Sequence, residues 1–274
     1  MTTKPPPSAV SDGDAADDRR GRRFVSLLGL VAFLLAWEAT IRALNVPRYL
    51  VPAPSAVLSR LIDGFTAGLM AQHTFATMTE IVVGYVLGCG LGIGLGILVS
   101  QFRIVDDLVY PYIIALNSVP KIATAPLIVL WFGFGFESKI IIVALVSFFP
   151  LLVNVLLGLR SVEADQLLLM RVLTASRWQS FWKVQLPNAL PAIFAGLEVA
   201  IVLSVVGAVV GEFVSAKEGL GWYILYANSL SDAAGMFAAF LVLAALGTVL
   251  NEVVRLIARR VVFWRSDQRI VESA

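Results

Sequence analysis

Six apolar runs, at roughly 24–44, 79–101, 106–131, 138–158, 190–214 and 234–256, constrain this chain most, because each is about the length that crosses a bilayer as a helix. Composition agrees: 58% of the 274 residues are hydrophobic and 15% are charged. A soluble domain carries about 25% charged residues, so this chain has too few to solvate a globule of its size. The expected fold is all-α, a polytopic membrane bundle of about six transmembrane helices. The third run contains Pro111, Pro120 and Pro126 and is expected to kink or break.

The polar segments set the orientation. Residues 1–23 hold Pro5, Pro6 and Pro7, then Asp12, Asp14, Asp17 and Asp18, then Arg19, Arg20, Arg22 and Arg23. Such a tail cannot build a core and is expected to be disordered. RRGRRFVSLLGL resembles a twin-arginine signal. No small-residue cleavage site follows and the apolar run continues to Trp37, so the segment reads as a retained first span. With the N-terminus inside, 14 Lys and Arg fall on inner segments: Lys4, Arg19, Arg20, Arg22, Arg23, Arg103, Arg160, Arg171, Arg177, Lys183, Arg259, Arg260, Arg265 and Arg269. Only 3 fall outside, namely Arg48, Arg60 and Lys217. Positive residues favour the cytoplasm, so both termini are expected there. The domain would run over 24–265, with a cytoplasmic tail at 266–274.

The outer loop at 45–78 contains VPAPSAVLSRLIDGF, whose Val57, Leu58, Leu61 and Ile62 fit a short amphipathic helix. In the outer loop at 215–233, Trp222, Tyr223 and Tyr226 suit the membrane interface. Gly84, Gly88, Gly92 and Gly96 repeat every fourth residue, a spacing that lets helix backbones approach closely in lipid. Packing inside one bundle is the expected use, and a subunit contact is the alternative.

Chemistry is sparse. No G-x-x-x-x-G-K-S/T loop is present, so no ATP is bound by that route, and WFGFGFES reads as a turn. The single Cys89 is a packing residue, and the single His73 is expected to be solvated or interfacial. No metal set, no catalytic set and no cofactor is expected on this chain. The net charge of +2 gives no ground for a nucleic-acid partner. Among acidic residues in the spans, Glu38 can pair with Arg42 one turn on, Glu80 and Glu212 lie near outer ends where water can reach them, and Glu198 lies in span five.

The inner loop at about 160–189 is the most informative segment. It reads LRSVEADQLLLMRVLTASRWQSFWKVQLPNALP. Leu167, Met170 and Leu173 suggest a first helix, interrupted at Thr174. Ser176 and Gln179 form a capping-box pattern that starts a second. Trp178, Phe181 and Trp182 then make one aromatic face beside Arg177 and Lys183, and Pro187 is expected to stop the helix. Such faces need a cover, either headgroups or a protein groove.

These residues resemble the cytoplasmic coupling loop, the "EAA" loop, of ABC importer permeases with the MetI-like fold. The family pattern runs from a Glu-Ala-Ala triplet through a glycine to an Ile-x-Leu-Pro element. Here TASRWQSFWKVQLPNALPAIFAGL matches, with Leu186-Pro187 and Pro191 as anchors. VPAPSAVL, PKIATAPLIVLWFGFG and GEFVSAKEGLGWYI look like blocks of the nitrate/sulfonate/taurine branch. The glycine position falls on Thr174 and the triplet on Leu168, Leu169 and Met170, while Glu163-Ala164 is out of register. A β-branched residue disfavours positive φ, so either the turn differs or the Thr174 hydroxyl acts as a cap.

The resemblance implies a non-catalytic transmembrane subunit in the bacterial inner membrane. It implies a second permease copy, two cytoplasmic ATP-binding subunits that carry ATP and Mg, an extracytoplasmic substrate-binding protein, and surrounding lipid. The coupling residues would be Leu168, Leu169, Met170, Arg171, Thr174, Ala175, Ser176, Arg177, Trp178, Phe181, Trp182, Leu186 and Pro187. The solute would be a sulfonate, taurine, nitrate or a similar anion, or alternatively a thiamine-pyrimidine precursor or riboflavin. The reading from another class is a standalone channel or secondary carrier.

Overall fold

The computed structural model describes residues 12–47, 49–215 and 217–265. Among these residues all regular structure is helical. In chain order the helices are α1 (Asp12–Ala43), α2 (Pro54–Thr66), α3 (Leu69–Gln101), α4 (Arg103–Asn117), α5 (Ala125–Phe132), α6 (Phe136–Arg160), α7 (Ala164–Val172), α8 (Arg177–Ser180), α9 (Leu186–Ser215), α10 (Leu220–Ser229) and α11 (Ala233–Val261). Among the described residues four segments are long and apolar enough to cross a membrane: α3, α6, the continuous helix from Arg177 through α9, and α11.

The other two expected spans take different forms. The first is longer than expected, since α1 starts at Asp12 inside the segment expected to be disordered. Residues 1–11 and the tail at 266–274 lie outside the described residues. The third is broken at Pro120 and Pro126 into α4, a 3-10 turn at Lys121–Thr124, and α5, while Pro111 stays inside α4. Span two also starts ten residues before the expected 79, because residues 69–78 continue α3.

α3, α6 and α9 form the core. The glycine stripe of α3 lies directly on α6. A methyl group on Gly88 would lie 2.2 Å from Ser147 Oγ and 2.4 Å from the Ala144 carbonyl oxygen. On Gly84 it would meet Val143, on Gly92 the Phe148 carbonyl, and on Gly96 Val155. The four glycines therefore serve contact within one chain, and this face has no room for a subunit interface. Gly90 and Gly94 point to open space. Buried Cys89 packs with Leu151, Val155 and Ala189 between the three helices.

At one end of this core α2 and α10 pack on α11, around Val57, Met70, Leu220, Ile224 and Ala238. Arg60 of α2 pairs with Asp232 at 2.9 Å, and Asp232 caps α11 by accepting from the Gly235 N–H at 3.0 Å. α1 is fastened at its final turns. Glu38 accepts from Arg42 Nε at 2.7 Å and from the Ser55 backbone N–H at 3.0 Å, and Trp37 meets Phe237 with ring centroids 6.1 Å apart. The apolar side chains of α1, such as Leu28, Val31, Phe33 and Leu35, stay exposed, as a lipid-facing helix requires.

Candidate functional site

The loop between α6 and α9 is built from two capping devices in sequence. α7 ends in a Schellman turn: the Ala175 N–H donates to the Met170 carbonyl at 2.9 Å, and the Thr174 N–H donates to the Arg171 carbonyl at 3.0 Å. This turn needs a left-handed residue, and Thr174 takes φ 52. The sharp turn is kept without glycine, at a backbone cost of about 1 kcal/mol. The turn therefore does not differ, and the two backbone bonds, not the hydroxyl, define it. The next residues start α8. The Gln179 N–H donates to Ser176 Oγ at 3.2 Å, and the Ser176 N–H donates to Gln179 Oε1 at 2.8 Å, a complete capping box.

Pro187 does not stop the helix. A π turn at Phe181–Gln185 follows α8, with the Leu186 N–H donating to the Phe181 carbonyl. The wider turn absorbs the ring and the missing N–H of proline, which an unbroken α-helix would not. α8, the π turn and α9 thus form one helix of 39 residues from Arg177 to Ser215, about 58 Å long at helical rise.

The aromatic face divides. Trp178 is 63% exposed and Trp182 53%, whereas Phe181 is 2% exposed and packs among Cys89, Leu159 and Ala189. Phe181 is a foot in the core and not a docking anchor. It stacks under Trp178 with ring centroids 5.5 Å apart, so the core positions the exposed indole. Leu168, Leu169, Arg171, Thr174, Ser176 and Arg177 are also exposed, while Met170, Ala175, Leu186 and Pro187 are half-buried. Glu163 and Ala164 lie at the start of α7, remote in sequence from the turn. The base of the loop is tied down by Gln101 Nε2 donating to Gln185 Oε1 at 2.8 Å and Asn188 Nδ2 donating to Ser161 Oγ at 3.1 Å. Arg160 pairs with Asp106 at 2.5 Å and lies over the Tyr110 ring.

A second polar site closes the opposite end of the bundle. α10 begins inside the protein, where its first N–H groups have no intrahelical partner. Side chains of α3 and α9 satisfy them. The Gly219 N–H donates to His73 Nδ1 at 3.1 Å, the Leu220 N–H to Thr77 Oγ1 at 2.8 Å, and the Gly221 N–H to Glu212 Oε2 at 2.5 Å. Thr77 Oγ1 donates to Glu212 Oε1 at 2.6 Å. Beside them Lys139 of α6 forms a buried ion pair with Glu80. Gly219, at φ +111, could carry no side chain, since a methyl there would lie 2.1 Å from Glu212 Oε1.

This cluster corrects several expectations. His73 is buried and hydrogen-bonded, not solvated, and its ring meets Trp222 and Tyr223. Glu80 and Glu212 are shielded from water. Tyr223 is buried under α11 and not at an interface. Burial and the Asp232 charge push its phenol above the ordinary tyrosine range. A signal was present in the sequence: His73, Thr77 and Glu80 share one face of a helix at steps of four and three.

The family described as "Binding-protein-dependent transport system inner membrane component" matches residues 88–263, which include the whole loop and Glu212 with the start of α10. The chain belongs to this family. It is a multi-pass inner-membrane permease subunit of an ABC importer, a family that works with ATP-binding subunits and a substrate-binding protein. The permease is 34% identical over 238 residues to the riboflavin transport system permease RibX of Chloroflexus aurantiacus, covering 87% of this chain and 89% of that one. It is 32% identical over 261 residues to the putative aliphatic sulfonates transport permease SsuC of Bacillus subtilis, covering 94% and 95%. Its fold is that of the MetNI methionine transporter in inward-facing conformations, at TM-score 0.63 and 20% identity, over 72% of this permease and 97% of that chain.

Proposed function

We propose that the loop at 161–189 is the docking point for a cytoplasmic ATPase, with ATP and Mg held on that partner. Trp178 and Trp182 carry this reading: two exposed indoles stand on a capped helix whose neighbour Phe181 is rooted in the core. Tryptophans at the centre of an interface carry much of its energy. The helix they stand on continues through the bundle to Ser215. Closure of an ATPase pair would move the Trp178 end, and a rigid helix would carry that displacement to the far end as alternating access.

The assembly contains two copies of the permease, two ATPases, and a binding protein on the outer face beside α2 and α10. Both termini lie in the cytoplasm, supported by the excess of basic residues on the inner segments. The solute is a small sulfonate, taurine or nitrate-like anion, supported by the likeness to the sulfonate permease along nearly the whole chain. Riboflavin is the second reading, favoured by the likeness to RibX. Identifying the ligand of the partner binding protein separates the two.

Trp178→Ala is expected to reduce the co-purifying ATPase at least about tenfold, as loss of an interface hot spot does. If ATPase binding and substrate-stimulated hydrolysis both survive, the docking assignment fails.

A further inference from the structure

A groove of about 780 Å³ runs between α9 and α11 from the loop end, near Pro191, to the level of Leu203. Its walls are mostly apolar, with Phe194, Val199 and Val202 on α9. Four polar residues interrupt them, Arg259 and a cluster of three. Asn251 and Arg255 stand one turn apart on α11, and Glu198 faces them from α9. Arg255 donates through Nε to Glu198 Oε2 at 3.0 Å. Its two terminal nitrogens are left without a partner among the described residues, and the Asn251 Oδ1 atom is buried without one.

A charged pair inside membrane helices is costly toward lipid, and it persists where it faces a polar path. The pair here is half-exposed to the groove and not sealed, unlike Glu80 and Lys139. Arg259, one further turn along α11, lines the same groove and pairs with Glu252 at 3.8 Å, which leaves the Arg255 guanidinium as the donor beside Glu198. A guanidinium held at Nε presents its remaining N–H donors as a fork that fits two oxygens of one acidic group.

We propose that this groove is a solute subsite in which Arg255 receives the sulfonate or carboxylate group of a small organic anion. Glu198 orients the guanidinium, and the apolar wall of Phe194 and Val202 takes the carbon part. The inference rests on the permease reading and narrows it to an acidic solute.

The test uses the full chain bearing Val202→Cys in phosphatidylcholine nanodiscs, where buried Cys89 keeps the background low. Two thiol reagents are compared, 2-sulfonatoethyl and 2-(trimethylammonium)ethyl methanethiosulfonate, each relative to its rate with a free thiol. The sulfonate reagent should react about tenfold faster, the order set by one charge-assisted hydrogen bond. Methanesulfonate should slow it. Arg255→Gln should abolish the preference, Arg255→Lys should keep part of it, and Glu198→Gln should raise it. An unchanged preference in Arg255→Gln overturns the proposal. So does no reaction with either reagent, which would mean a covered groove. Protection by phosphatidylglycerol discs but not by methanesulfonate would assign the site to a lipid headgroup and also overturn it. No ATPase enters these measurements, so their failure is separate from failure of the docking assignment.

Discussion

The helix from Arg177 to Ser215 ends in two different surroundings. At its start, Trp178 and Trp182 are held outward by a capping box and a buried phenylalanine. Near its finish, Glu212 is 1% exposed and is committed to Thr77 and the Gly221 N–H. The first end has apolar surface without a cover in this chain, energy that the proposed ATPase contact would draw on. At the second end His73, Thr77, Glu80, Lys139 and Glu212 are already paired within the chain, so change there appears as lost stability. One rod thus joins an end suited to receiving a partner to an end suited to holding α10 in place.

The largest effect is expected at the sealed end. Lys139→Ala strands the buried Glu80 carboxylate and is expected to cost about 3–5 kcal/mol, the penalty for breaking a buried ion pair. Thermal unfolding in detergent measures it, and the double change Lys139→Met with Glu80→Leu should recover most of the loss. A loss no larger than that of a surface substitution would remove the contrast between the two ends.

The middle of the core gives the next effect. Gly88→Ala places a methyl 2.4 Å from a backbone oxygen of α6, and overpacking of this kind costs about 1–3 kcal/mol. Gly90→Ala, facing open space, should be neutral or slightly stabilising in the same melt. Equal melting temperatures for the two variants would contradict the α3–α6 contact.

At the exposed end, Trp178→Ala with Trp182→Ala should leave the melting temperature of the isolated permease almost unchanged, within about 0.5 kcal/mol, because both rings are mostly solvent-facing. Phe181→Ala should instead destabilise it by about 3 kcal/mol, as truncation of a buried phenylalanine does. The comparison sharpens if the tryptophan pair loses ATPase binding while keeping its stability.

The smallest effect is a gain. Thr174→Gly should stabilise the chain by up to about 1 kcal/mol, since glycine meets φ 52 without the Cβ penalty. The gain is read from the same thermal unfolding, and a loss would show that the threonine side chain contributes to the turn.

Much of the fold was legible locally. The apolar runs announced the helices, Pro120 and Pro126 announced the break between α4 and α5, and Ser176 with Gln179 announced the start of α8. These are signals carried by residues within a few positions of each other. What they could not contain was the identity of the neighbour. Phe181 and Trp182 are adjacent in an aromatic pattern, yet one is a core residue and the other faces out, because only the packing of α3 and α6 decides which side of the helix is covered.

The same division separates the rest. By itself the sequence determined a multi-span helical bundle, the lack of a G-x-x-x-x-G-K-S/T motif, an uneven distribution of basic residues between its polar segments, and an amphipathic loop between α6 and α9, since composition, period and capping are local properties. The tertiary structure decided that Thr174 takes a left-handed turn, that a π turn carries the helix through Pro187, and that His73, Thr77 and Glu212 cap a helix up to 146 positions away. Those outcomes depend on contacts between helices, where a strained turn or a buried charge persists because the surrounding packing and hydrogen bonds outweigh its local cost.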